Sequence, residues 1–118
     1  MSSRSTSTIQ PDQFPATIRS FLTAHATRDT DVALPLFVSD AVVVDQDKTF
    51  RGTDEILGFL RKAGAEFSYT TELIGAQRID DEHWVATNRL EGNFPGGMVD
   101  LDYRFAMDGD HISELVIA

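Results

Sequence analysis

The sequence predicts an α+β domain in which about three helices, all in the N-terminal half, pack on one face of a curved, mostly antiparallel β-sheet. Three observations predict it. Before Gly64 the apolar residues of the longer segments recur at spacings of three and four, and after it they alternate with polar ones. The second half is punctuated by turn chemistry, at Asp80-Asp81, at Asn93-Phe94-Pro95-Gly96-Gly97 and at Asp108-Gly109. Helices gathered early and a strand meander later form the pattern of an α+β fold. A strongly bent sheet closed by helices leaves a cone, and the inside of that cone is where a ligand would sit.

The first helix is expected over residues 12–26, with Phe14, Ile18, Phe21, Leu22 and His25 on one buried stripe. Asp12 is its expected N-cap, and Pro15 falls in the first turn, where a missing N–H costs little. A second, short helix starts from Thr30 and meets Pro35, which cannot donate a ladder bond and so forces a late start or a kink. Residues 41–45 read as the first strand and residues 49–51 as a brief second one. Thr53, Asp54 and Glu55 then cap a third helix whose apolar positions are Ile56, Leu57, Phe59 and Leu60, with Arg61 and Lys62 at the end that favours cations. Four longer strands follow, over residues 67–79, 83–91, 99–107 and 112–117.

One domain is expected over residues 12–118, after a frayed Ser/Thr-rich tail over residues 1–11 that lacks the apolar stretch of a signal peptide. The net charge of −9 repels a phosphate backbone or an anionic bilayer, so neither nucleic acid nor a membrane is expected as a partner. No apolar run approaches the ~20 residues that span a bilayer. With no cysteine the chain has no disulfide, thiol nucleophile or thiolate ligand, in keeping with a cytoplasmic location. His25, His83 and His111 lie on different elements without metal-ligand spacing, and Gly96-Gly97 has no Lys-Ser/Thr beside it. No metal and no cofactor are therefore expected.

The stretch Val42-Val43-Val44-Asp45-Gln46-Asp47 ends a β-branched run on a carboxylate. One reading makes Asp45 a turn residue that bonds the backbone two residues on, with Lys48 and Arg51 near enough to neutralise it. The other turns it into a pocket as a general base. Strand alternation places Asp45 on the same face as Val43, and Val42 with Val44 on the other.

Several strings resemble the nuclear transport factor 2-like superfamily, in its SnoaL-like and ketosteroid-isomerase-like branch. They are Ala26-Thr27-Arg28-Asp29-Thr30-Asp31, the run from Leu36 through Asp45, Arg51-Gly52-Thr53-Asp54-Glu55-Ile56-Leu57-Gly58-Phe59, and Tyr103-Arg104-Phe105 followed by Asp108-Gly109 and Ile112. Their order spans the chain from about Phe14 to the end. The resemblance implies a cone-shaped, cystatin-like fold and a homodimer. The ketosteroid isomerases of that branch use an aspartate base after the first strand and an oxyanion hole made of a tyrosine and a protonated aspartic acid. Carried onto this chain, the base position falls on Asp45, but the helix tyrosine falls on Phe21, which has no hydroxyl. The second donor falls on Asp102 without a gap and on Tyr103 with a gap in the Asp108-Gly109 turn. The alternation of Val99, Leu101, Tyr103, Phe105 and Met107 favours Tyr103 inside and Asp102 outside.

The resemblance implies Asp45 and Tyr103 as catalytic residues. His25, one turn after Phe21, joins them if its imidazole meets Asp45 and tunes both pKa values; otherwise it is a core or helix-end histidine. Phe21, Phe59, Trp84 and Phe105 are the expected apolar lining, for a hydrophobic carbonyl-bearing small molecule. The competing reading is a module that only binds a small molecule or pairs with itself. Arg89 and Glu91 resemble part of the water-positioning set of the limonene-type epoxide hydrolases, and as an alternative form a same-face ion pair on an exposed strand.

Overall fold

The computed structural model of the protein describes residues 7–62 and 69–118. Seven strands form one sheet: β1 (Ser7–Thr8), β2 (Phe37–Asp45), β3 (Lys48–Arg51), β4 (Tyr69–Arg78), β5 (His83–Gly92), β6 (Met98–Asp108) and β7 (His111–Ile117). Their order across the sheet is β1-β4-β5-β6-β7-β2-β3, with every neighbour antiparallel except β2 and β7. The helices α1 (Ala16–Ala26), α2 (Thr30–Ala33) and α3 (Gly52–Lys62) cover one face. The α+β expectation therefore holds, with one parallel pairing that makes the sheet mixed.

Element boundaries differ from expectation where local chemistry intervenes. The first helix does not begin at Asp12. A 3₁₀ turn over Pro11–Gln13 precedes it, and Pro15 drives Phe14 into extended backbone (φ −62°, ψ 149°), so α1 starts only after the proline. The cap of α2 is Asp29 rather than Thr30, its carboxylate accepting the Val32 N–H at 3.2 Å. Pro35 then sits in a 3₁₀ turn over Leu34–Leu36, the expected break. Strand β2 starts at Phe37, four residues early, because an irregularity between Phe37 and Val42 hides its first half from an alternation pattern. At the start of α3, Gly52 takes φ +80°, and Glu55 accepts the Arg51 N–H at 2.7 Å.

The expected frayed tail over residues 1–11 is corrected in its second half. Ser7 and Thr8 pair with Arg78 and Gln77, and the Ile9 N–H bonds Ala76 O at 3.0 Å. The open edge of β4 offers unpaired backbone groups, and the segment satisfies them. Residues 1–6, and residues 67–68 of the strand expected over 67–79, lie outside the described residues.

The core lies between α1, α3 and the inner sheet face. Phe21 is fully buried and meets Phe37 and Phe105 edge to face, each with ring centroids 5.6 Å apart. Ile18 and Ile56 from the helices and Val43, Ile112 and Leu115 from the sheet complete its centre. The outer face carries polar pairs: Thr87 donates to Asp102 at 2.8 Å, and Arg89 forms a two-bond ion pair with Asp100 at 2.8 and 3.1 Å. The expected Arg89–Glu91 pair is thus corrected. Asp100 stands directly opposite Arg89 on β6, and that cross-strand position is the nearer one.

Candidate functional site

The inner face of β2 answers the question that Asp45 raises. Ala41 and Val43 are fully buried, and Asp45, the next residue of that parity, shares their side of the sheet. Its strand is held between Lys48 of β3 and Ile117 of β7, and the Gln46 N–H continues the ladder to Ile117 O at 2.9 Å. Gln46 itself turns the chain with φ +61°, a left-handed conformation, and Asp47 and Lys48 beyond it are exposed.

Asp45 thereby borders a cavity of about 550 Å³. His25 and Phe59 supply its helix side, Tyr103, Leu101 and Ile117 its sheet side, and Tyr69, Phe94 and Pro95 further wall. Tyr103 is 3% exposed, whereas Asp102 faces outward and accepts the Thr87 hydroxyl, so the strand has the register that its alternation predicts.

The Asp45 carboxylate, the His25 imidazole and the Tyr69 and Tyr103 hydroxyls therefore converge on one hollow, which Gln46, Asp47 and Lys48 also border. Burial raises the Asp45 pKa; Lys48 opposes this and Asp47 adds to it. Burial pushes the Tyr103 hydroxyl well up, with Tyr69 and the Asp45 charge acting in the same direction, so the phenol keeps its proton. Tyr69 is raised chiefly by burial; Arg28, whose guanidinium lies 5.7 Å from the ring centroid, pulls it down, and Asp45 pushes it up.

His25 is stacked between Phe21 and Phe59, at 5.2 and 6.0 Å, with Tyr103 edge-on at 5.8 Å. Burial among these rings lowers its pKa to about 4. It makes no hydrogen bond or ion pair with Asp45 among the described residues, so the expected tuning partnership is not formed. A neutral imidazole at neutral pH is the result, available for hydrogen bonding.

That depressed pKa has a stability consequence with a definite sign. The unfolded chain takes up a proton on His25 near pH 6.5, and the folded one only near pH 4. The contribution is complete above pH 6.5 and is lost as pH falls toward 4. After a discount for the ring edge open to the cavity, it is worth about 2 kcal/mol. Urea unfolding at pH 7 and pH 4.5 is expected to show this loss in the wild type, and a smaller one in His25→Leu.

Of the expected lining residues, only Phe59 borders the cavity. Phe21 and Phe105 are corrected to core positions, 0% and 1% exposed: Phe21 lies behind His25, which takes the place at the wall. Trp84 is corrected to the far end of the inner face, where it packs edge-on against Phe14 at 6.4 Å beneath Arg78. Trp84 and Phe105 instead border a second hollow of about 620 Å³, together with the outer-face residues Asp102, Arg104, Glu114 and Val116.

No family model and no curated protein matches the sequence. Solved structures do match the fold. A candidate polyketide cyclase from Sinorhizobium meliloti superposes with a TM-score of 0.85 at 28% identity, over 93% of this chain and 100% of that one. A Catenulispora acidiphila protein with a ketosteroid isomerase-like fold, in complex with trimethylamine, gives 0.75 at 18%, over 88% and 85%. A Mycobacterium tuberculosis protein in complex with estradiol-17beta-hemisuccinate gives 0.71 at 15%, over 86% and 88%. The chain has a nuclear transport factor 2-like, ketosteroid isomerase-like fold.

Within this nuclear transport factor 2-like fold, Tyr69 is the site residue that sequence reasoning missed. It begins β4 on the inner face, but the irregularity between Leu73 and Gly75 inverts the alternation along that strand. A pattern read backward from Ala76 therefore assigns Tyr69 to the wrong side. The usable signal was the tyrosine itself, a polar tip on an aromatic body at a strand end.

Proposed function

We propose that the cavity takes a hydrophobic, carbonyl-bearing small molecule and that Asp45 removes a proton from the carbon beside the carbonyl. The observation that carries this reading is the convergence of a half-buried carboxylate and two protonated phenols on one hollow. A base is more effective when its pKa lies nearer the working pH, and burial moves Asp45 that way. As the C–H bond breaks, its electron pair shifts to the carbonyl oxygen, and the Tyr103 hydroxyl, with Tyr69 beside it, donates hydrogen bonds to the enolate. Protonated Asp45 then returns the proton to the same or another carbon, or the enolate attacks an internal electrophile. Isomerisation and aldol-type cyclisation share that first step. The S. meliloti protein's cyclase description and the steroid ester held by the M. tuberculosis protein agree with it.

The test is hydrogen exchange of 2-tetralone in D₂O, followed by proton NMR. Acceleration above the buffer rate that is lost in Asp45→Asn supports the base role, and equal acceleration by both proteins contradicts it. A second, non-catalytic reading is supported by the resemblance, which carries the isomerases' tyrosine onto Phe21, a buried residue with no hydroxyl. Under that reading 2-tetralone binds without exchange.

We also propose a homodimer that joins the outer sheet faces, where Arg104 lies near Asp102 and Glu114 in a form suited to self-complementary pairing. Sedimentation velocity is expected to give a dimer for the wild type and a monomer for Arg104→Glu. A wild-type monomer at 50 µM, taken here as roughly the upper limit for a stable complex, contradicts the pairing.

A further inference from the structure

The proposed reaction leaves the imidazole of His25 without a role. The residue lies on α1, one turn beyond Phe21, and borders the cavity together with Phe59 and Tyr103. Phe21 and Phe59 stack on its ring, each 14° from parallel, and Tyr103 stands edge-on to it at 5.8 Å. With its faces taken up by phenylalanine, the imidazole meets the cavity with its edge, and the edge carries both nitrogens. Among the described residues the contacts of this side chain are aromatic, so its hydrogen-bonding capacity is left for what enters the cavity.

His25 continues the helix stripe of Ile18 and Phe21, where phenylalanine or leucine would pack without desolvating a polar ring. The ring is neutral above about pH 4, one nitrogen donating and the other accepting. As a neutral group it does not pair with the Asp45 carboxylate and quench it, yet its N–H can face an oxygen that gains negative charge. Stacking on two rings holds that donor in place before the charge develops, which is what makes such a donor effective.

Resting on the reading of this cavity as a site of enolate chemistry, we propose that His25 is a further catalytic residue, whose ring N–H, beside the Tyr103 hydroxyl, hydrogen-bonds the ligand's carbonyl oxygen and the enolate oxygen formed from it. The oxygen then has an imidazole on the helix side and a phenol on the sheet side. Asp45 takes the proton from carbon, the electron pair of the C–H bond ends on that oxygen, and His25 keeps its own proton throughout.

The test uses protein labelled with ¹⁵N at histidine and two probes, 2-tetralone and tetralin, the same skeleton without the oxygen. The His25 ring signal, assigned by its absence from His25→Phe, is expected to shift in the wild type with 2-tetralone and to move far less with tetralin. His25→Phe keeps a stacked ring and removes the donor. It is expected to lower the exchange rate at saturating 2-tetralone about 10²-fold, with the half-saturating concentration changed by less than about threefold. A His25 signal that ignores 2-tetralone or moves equally with tetralin overturns the proposal, whether or not His25→Phe folds. Exchange in folded His25→Phe within about twofold of the wild-type rate overturns it as well. Asp45→Asn is expected to lose exchange and keep the His25 shift. A ketone-specific shift without any wild-type exchange therefore sinks the base role and not the hydrogen bond, whereas Asp45-dependent exchange with an unmoved His25 signal sinks the hydrogen bond alone.

Discussion

Asp45→Asn is expected to slow protein-catalysed exchange of a ketone's α-protons by about 10²–10⁴-fold, the usual contribution of a positioned general base. Asparagine keeps the shape of the side chain but has no lone-pair base of comparable strength. The loss should appear in the rate and not in the affinity, because the apolar walls that hold the ketone, Phe59, Leu101 and Ile117, are untouched. Stability should not fall. The wild-type carboxylate pays a desolvation cost that raises its pKa, and a neutral amide at the same place avoids it. Exchange rates, ketone affinity and urea midpoints of the two proteins together check this. A large drop in stability would show that Asp45 is a structural residue of the Gln46 turn.

Phe21→Ala is expected to have the largest effect on folding, a loss of about 3–5 kcal/mol in urea unfolding. The ring is fully buried and has three aromatic neighbours, Phe37, Phe105 and His25. Its removal leaves a cavity that an α-helix packed on a sheet closes only in part. Against a typical domain stability of about 5–15 kcal/mol, that loss brings the protein near the edge of folding. The site suffers as well, because His25 loses one of the two rings between which it is stacked. A midpoint shift equivalent to less than about 1 kcal/mol would mean that α1 repacks freely, contrary to the close packing observed.

The sequence made the architecture legible because most segments are locally consistent: the helix stripe of Ile18 and Phe21, the alternation from Val99 to Met107, and turn residues at each hairpin. The alternation also placed Tyr103 inside and Asp102 outside, and set Asp45 on the face of Val43. Less legible was anything decided by an irregularity. The breaks in β2 and β4 hid the start of one strand and the inward face of Tyr69. Trp84 has the inward parity expected of a lining residue, yet lies at the far end of the strand, because parity fixes a face and not a depth along the cone. Asn88 escaped notice because one polar residue in an alternating strand reads as a solvent-facing position; only the positions of Ala86 and Leu90 on the same face reveal that it is buried.

The most direct measurement of the central claim is the pH profile of 2-tetralone exchange catalysed by the wild type and by Asp45→Asn. A base must be ionised to act, and burial raises the Asp45 pKa, so the wild-type rate is predicted to climb through an inflection above the ordinary carboxylate value of 3.8 and then level off. His25, neutral above about pH 4, adds no second inflection near neutrality. Loss of that inflection in Asp45→Asn is the predicted result. The same inflection and rate in both proteins would contradict the account.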